Sequence, residues 1–224
     1  PVVNGKQQHF RLVGMDHFNA MFEDEETKSW WRQATGEAVT GPLKGLSLTE
    51  IHSQQMRLGA WLQLHPQSLI LQPDPGFKKQ YDELKGFDEG TLKSGLEKRD
   101  TASWQFKSWV IGVMAEGKAK AFDWNELVQK RVINDSIAGR EIVLYLQQDG
   151  KSFHVFYYPL LKQPAYFEAD SSTGLLKERN SGTLWSPAGI CISGAYQGMQ
   201  LALVAAYQEF WHSWQQFHPG TTRR

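Results

Sequence analysis

Apolar and polar side chains alternate along Phe10-Arg-Leu and along Phe153-His-Val-Phe-Tyr, where Phe153, Val155 and Tyr157 share one side. A period of two predicts strands with one buried face. Each run follows a turn pair, Asn4-Gly5 or Asp149-Gly150, and both pairs read as two-residue hairpin turns because type I′ geometry needs positive φ at both central positions. Further strands are predicted near Asn19–Glu23 and Ala165–Ala169, over Val110–Val113 and over Ile142–Leu146. The period changes over Gln54–Leu64 and Tyr207–Phe217. There Leu58 with Trp61, and Trp211 with Trp214, lie three apart on one helical face. His65-Pro66 and His218-Pro219 end these helices, since proline disfavours α geometry in the residue before it. Trp124–Lys130 reads as one or two more helical turns. Gln72–Lys107, rich in charge and glycine, reads as a connector with short helices around Phe77–Leu84 and Leu92–Lys98.

The pattern recurs. Adding 153 to each number from Gly36 to Pro66 places Gly36, Gly41, Gly45, Leu48, Gln55, Trp61, Gln63, His65 and Pro66 on identical residues. Nine identities over 31 ungapped positions compare with about two expected from composition. A second block repeats at an offset of 145, with Asn4-Gly5-Lys6 on Asp149-Gly150-Lys151, His9 on His154, and Ala20, Phe22 and Glu23 on Ala165, Phe167 and Glu168. Extra turn-rich sequence near Leu175–Gly182 would account for the change of offset. The portion from Trp109 to the second hairpin has no counterpart in the first unit, so its equivalent is expected ahead of Pro1. About one and a half copies of the repeat are therefore expected, with an exposed strand edge where the first unit lacks its front.

The fold expected is β-rich α+β, two related units packed through their sheets into one body. Each unit would carry hairpin strands and a short Trp-bearing helix ending at His-Pro. The units span 1–75 and 108–224, with a connector over 76–107.

Composition narrows the chemistry. Twenty-four basic residues balance 24 acidic ones, with no block of five like charges, which argues against a nucleic-acid partner or a polybasic membrane patch. The single cysteine excludes an intrachain disulfide and any zinc site built from several cysteines. No stretch approaches the roughly 20 apolar residues that cross a bilayer, so no direct membrane insertion is expected. The opening Pro-Val-Val-Asn-Gly does not read as a signal peptide, and a start at Pro is expected of a piece cut from a longer protein.

The run Phe10-Arg-Leu-Val-Gly-Met-Asp-His-Phe-Asn-Ala-Met-Phe-Glu-Asp leads into Thr27-Lys-Ser-Trp-Trp-Arg-Gln and Gly36-Glu-Ala-Val-Thr-Gly-Pro-Leu-Lys-Gly. With Trp61-Leu-Gln-Leu-His-Pro, Ala119-Lys-Ala-Phe, Asn134-Asp135, Phe210-Trp-His-Ser-Trp and Phe217-His-Pro, it closely resembles the bacterial family called domain of unknown function 3179. The resemblance covers nearly the whole chain and implies no established activity. It does imply a membrane-anchored parent with this part on the extracytoplasmic side. It also implies a Cys-x-x-Cys pair on the strand before the hairpin. The equivalent stretch here, Leu144-Tyr-Leu-Gln-Gln, has no cysteine, so no thiol or metal role is carried over.

Asp16-His17, with Asn19, Glu23 and Asp24 nearby, is the densest polar cluster of the first unit. At a strand end facing a cleft, Asp16 would orient His17 as a general base or ligand. Its bland reading is a solvated loop with an Asx turn. The second unit reads Leu160-Leu161-Lys162 at the matching place, and such asymmetry is expected when one copy carries a site. His65 and His218 read as helix-end residues on the negative end of the dipole rather than as ligands. Trp61 and Trp214 read as core rather than as a sugar platform, and one of Trp30 and Trp31 faces outward because strand neighbours alternate. Cys191 reads as an inert buried thiol between Ile190 and Ile192. Glu23 to Glu26 read as a solvated acidic turn. Candidate ligand-binding residues are thus Asp16, His17, Asn19, Trp31 and His65, with no metal site and no cofactor specified. Two functions of different class stay open. One is a non-catalytic extracytoplasmic module that binds an unidentified small ligand or protein, or serves as a scaffold. The other is a metal-dependent or hydrolase-like enzyme centred on Asp16 and His17.

Overall fold

A computed structural model describes residues 2–81, 86–87, 89–92, 98–158 and 165–224. The first part carries β1 (Val2–Val3), β2 (Lys6–Gln7), β3 (Phe10–Asp16), β4 (Asn19–Asp24), β5 (Trp30–Arg32), β6 (Ala38–Thr40) and α1 (Leu58–Leu64). A 3₁₀ turn over Pro75–Gln80 follows. The middle part holds β7 (Trp109–Ala115), β8 (Lys118–Asp123), α2 (Trp124–Lys130), β9 (Val132–Ile137), β10 (Arg140–Leu146) and β11 (Phe153–Tyr157). The last part holds β12 (Phe167–Ala169), β13 (Leu176–Glu178), β14 (Leu184–Trp185), β15 (Cys191–Ser193), β16 (Ala202–Leu203), β17 (Ala206–Phe210), α3 (Trp211–Phe217) and β18 (Thr222–Arg223).

From Ile142 to Leu146, strand β10 reads as an unbroken apolar run because both its faces are covered there. Ile142, Leu144 and Leu146 pack with Ile111, Phe122, Trp124 and Leu127 on one side. Val143 and Tyr145 pack with Phe156, Phe167, Leu176 and Trp185 on the other. The sheet β16-β11-β10-β9 is therefore a central layer. The sheet β17-β7-β8-β18 covers one of its faces and the sheet β12-β13-β14-β15 the other. Among the described residues, all pairings between these strands are antiparallel except β18 with β8, and an isolated bridge between Asp100 and Ser108 is also parallel. Trp211 and Trp214 of α3 close the outer face of β7 and β8 over Val110 and Ala121. The sheet β3-β4-β5-β6 comes from the first part, and β1 pairs with β2 in a small hairpin.

The sheets β3–β6 and β12–β15 repeat one another in strand order and in hydrogen bonds. Leu48 N–H donates to Gly36 O at 2.9 Å and Leu201 N–H to Gly189 O at 2.8 Å. Ala38 N–H donates to Leu46 O, and Cys191 N–H to Met199 O, both at 2.8 Å. Gly41 and Gly194 recur because both turns need φ near +85°, with observed values of 84° and 89°. The helix ends match as well. The Trp61 indole donates to Ser68 Oγ at 2.7 Å and the Trp214 indole to Thr221 Oγ1 at 2.8 Å, another pair 153 apart.

The structure corrects the second offset. In place of the Ala20/Ala165 match, β3 corresponds to β12 and β4 to β13. Phe10 pairs with Asp24 and Phe167 with Glu178, and each phenylalanine meets its tryptophan edge-on, at 5.8 Å for Trp31 and 6.2 Å for Trp185. The segment over Leu175–Gly182 is thus the counterpart of β4 and its turn, not an insertion. Sequence identity misled here because hairpins of different length shift the register between otherwise equivalent strands.

Three other expectations change. Asn4-Gly5 is the two-residue turn expected, with φ of 50° and 75°. Asp149-Gly150 is instead part of a longer loop between Leu146 and Phe153, in which the Asp149 carboxylate accepts the N–H groups of Lys151 and Ser152. Helix α3 starts at Trp211, because Ala206–Phe210 pairs with β7 as a strand; α1 likewise starts only at Leu58. Glu23 and Asp24 are buried, not solvated. Asp24 accepts the Trp31 indole N–H at 2.8 Å and the Thr27 hydroxyl at 2.8 Å, while Glu23 accepts from Arg11 and the Trp30 indole. In the connector, Pro75–Gln80 is helical, but Leu84, most of Leu92–Lys98 and Leu160-Leu161-Lys162 lie outside the described residues. No helix among the described residues is long and apolar enough to cross a membrane.

Candidate functional site

The tip of the β3–β4 hairpin brings two distant parts of the chain together. His17 and Phe18 are its central residues, with φ of 47° and 69° between the paired Asp16 and Asn19. Left-handed geometry is strained for residues with a bulky Cβ, so docking of the tip must offset that strain. The docking contacts are visible. Phe18 meets Phe210 edge-on at 5.9 Å and the His212 ring at 4.9 Å, and His17 meets Phe217 at 5.8 Å.

Behind the tip, Asn19 reaches across the chain. Its amide donates to Glu209 Oε1 at 2.9 Å and to Ser213 Oγ, and Ser213 in turn donates to Glu209 Oε1. Glu209 near the end of β17 and Ser213 in the first turn of α3 are four residues apart, which sets them side by side. The second carboxylate oxygen, Oε2, is buried and has no hydrogen-bond partner among the described residues. Burial pushes the Glu209 carboxyl above its usual range, against the bonds from Ser213 and Asn19 that favour its charged form.

These residues form one wall of a cavity of about 770 Å³. Phe18, Trp109, Trp124 and Phe210 supply ring surface, Gln33, Gln55 and Gln208 supply amides, and Arg57 and Lys151 supply cationic groups. That volume and that mixture of apolar surface with a few placed polar groups suit a small molecule. Beside the cavity, His212 is 8% exposed, stacks on Phe106 at 4.0 Å and has no hydrogen-bond partner on either ring nitrogen among the described residues. Burial first, then the nearby His17 and Lys107, holds its pKa below the usual value.

The five residues singled out in the sequence are distributed unevenly. Asn19 lines the cavity. Asp16 and His17 sit at the tip outside its lining, where Asp16 Oδ1 is 2.5 Å from His17 Nδ1 and Oδ2 is 2.9 Å from Arg32 Nε. Burial opposes the Asp16 charge, but the bonds from His17 and Arg32 outweigh it and lower its pKa. Trp31 is 1% exposed, with its indole committed to Asp24. His65 is exposed at the end of α1, its ring 4.1 Å from that of Trp61. The hairpin tip corresponds to the Asp170–Gly174 turn of the second sheet, where Asp170 accepts from Ser172 and Thr173 instead of orienting a histidine.

Sequence reading passed over Glu209 and Ser213. A signal was present: at the repeat offset they stand opposite Met56 and Ala60, polar in one copy and apolar in the other. Among the described residues, no group of three or more His, Cys, Asp or Glu side chains is placed to hold a metal ion.

A family model described as protein of unknown function (DUF3179) matches residues 2–221. No curated protein and no solved structure matches the chain.

Proposed function

The chain belongs to the bacterial DUF3179 family, whose description names no activity, so its function must be sought in its own site, and we propose that it is a ligand-binding module. The ligand is a small molecule with a ring face and at least one hydroxyl or amide group. It lies in the cavity between the β3–β4 tip and the β17–α3 junction. The observation that carries this reading is the cavity itself, with the hydrogen-bonded Asn19, Glu209 and Ser213 set among aromatic rings in its lining. The aromatic rings around it offer faces for stacking. The extracytoplasmic setting of a membrane-anchored parent, implied by the family resemblance, is kept in this proposal, and protease accessibility in intact cells tests it.

The binding test is a thermal-shift and saturation-transfer screen with monosaccharides, nucleosides and amino acids at millimolar concentration. A panel member should raise Tm, and Glu209→Leu should weaken it about tenfold while Glu209→Gln, which keeps a polar group at Oε2, retains it. Hits that are insensitive to Glu209→Leu, or a panel without hits, overturn the reading.

A second reading, a hydrolase-like or metal-dependent enzyme, draws on the Asp16–His17 pair, the arrangement in which a carboxylate orients an imidazole. It predicts ester or amide hydrolysis that His17→Gln abolishes.

A further inference from the structure

The two Trp-bearing helices are copies of one motif covered differently, and the covered copy shows what the bare one is built to receive. On α3, Trp214 is fully buried. Its ring lies against Gly112 of β7, so close that a Cβ there would come within 2.1 Å of indole Cζ3. The strand entering α3 pairs with β7 from Ala206↔Val113 to Phe210↔Trp109. Helix α1 repeats the same parts. Its indole donates to Ser68, and His65 ends the helix at φ −131°, ψ 67°, against −125° and 69° for His218. Its lead-in, residues 53–57, lies one repeat offset from β17 yet carries no strand pairing among the described residues. The face beside it is open: Trp61 is 37% exposed, Leu58 55% and Ile51 79%.

We infer that this face, formed by residues 51–57 with Leu58 and Trp61 of α1, is a docking surface for an antiparallel strand pair of the β7–β8 type. The occupant carries a glycine at the point where the Trp61 ring would lie. Its first strand adds to the unpaired lead-in through main-chain hydrogen bonds, and its apolar side chains cover Leu58 and Trp61. The lead-in is already anchored for this role. Arg57 N–H donates to Ser152 Oγ at 2.9 Å, and Gln55 Oε1 accepts from Gln208 N–H at 3.1 Å. Gln55 and Gln208 are themselves one repeat offset apart, so contact between them sets the two lead-ins beside each other. A second copy of this chain does not meet the description, because its own β7–β8 pair is covered by Trp214 and β17.

The test uses the whole chain, isotope-labelled, titrated with a synthetic peptide of the β7–β8 sequence, Trp109 to Asp123. The Trp61 indole N–H and the amides of 52–57 should shift, with the Trp214 indole unmoved. A peptide carrying Gly112→Val should bind at least about tenfold more weakly, because its side chain would occupy the space of the ring. Trp61→Ala in the chain should abolish the shifts. Three results overturn the inference. These are signals unmoved at millimolar peptide, equal binding of the Gly112→Val peptide, or the same signals shifting on self-association without peptide.

Discussion

Gly112→Ala tests the packing on which the repeat argument rests. Gly112 does not adopt positive φ, so the substitution adds no backbone strain and its effect is steric. The new Cβ would stand 2.1, 2.2 and 2.6 Å from three carbons of the Trp214 ring, which must retreat by more than about 1 Å to reach ordinary contact. Retreat is blocked. The indole N–H is bonded to Thr221 at 2.8 Å, the His218 ring lies 3.8 Å away and Tyr207 meets it edge-on at 5.5 Å. Overpacking of this kind costs about 1–3 kcal/mol, and complete displacement of a buried Trp sets a ceiling of about 3–5 kcal/mol. Alanine recovers about 0.5–1 kcal/mol through reduced unfolded-state entropy. The net expectation is a loss of about 2–3 kcal/mol, or about 5–10 °C in Tm for a chain of this length. Urea unfolding followed by circular dichroism measures it. In a Trp214→Leu background the penalty should shrink by about 1–2 kcal/mol, since the ring that clashes is gone. A Gly112→Ala protein within about 0.5 kcal/mol of the parent, or strict additivity in the double variant, would refute the close approach of ring and strand.

Two further outcomes follow from burial. Trp214→Ala should cost about 3–5 kcal/mol, whereas Trp61→Ala, on the open copy of the same helix, should cost under about 1 kcal/mol by urea denaturation. His154 is 2% exposed, and burial depresses its pKa from 6.5 to about 4. The unfolded chain therefore takes up the proton first as pH falls. The stability tied to a neutral His154 is complete above pH 6.5 and is lost towards pH 4, by about 3 kcal/mol, and His154→Gln should flatten that limb of a stability–pH profile.

Local physics made much of the architecture legible. Glycines at positive φ and the His-Pro helix stops each act over a few residues, so they recur wherever the motif recurs. Strand alternation alone sets Trp30 and Trp31 on opposite faces; the tertiary structure decided that Trp31, a candidate for ligand binding, is the buried one. Apart from the Asp149-Gly150 loop and the hairpin lengths, what misled lay elsewhere along the chain. Residues 206–210 carry a helical pattern of apolar groups, yet the unsatisfied edge of β7 makes them a strand. Trp61 and Trp214 have equivalent sequence settings, but among the described residues only Trp214 has a strand with a glycine beneath it. Glu23 and Asp24 look like a solvated turn until Arg11, Trp30 and Trp31 bring their donors to them.

The candidate site divides the same way. Asn19 was marked by the polar cluster around it, and the Asp16–His17 bond forms because the residues are adjacent. Glu209 and Ser213 belong to the site only because the hairpin tip docks on β17 and α3, some 190 residues further along the chain. By itself, the sequence determined the repeat over Gly36–Pro66, the Asn4-Gly5 turn and the helix stops, which depend on backbone preferences of near neighbours. Only the tertiary structure decided which copy of each motif is covered and which carboxylate is left with an unpartnered oxygen. Burial depends on what the rest of the chain brings to a surface, and equivalent segments meet different partners.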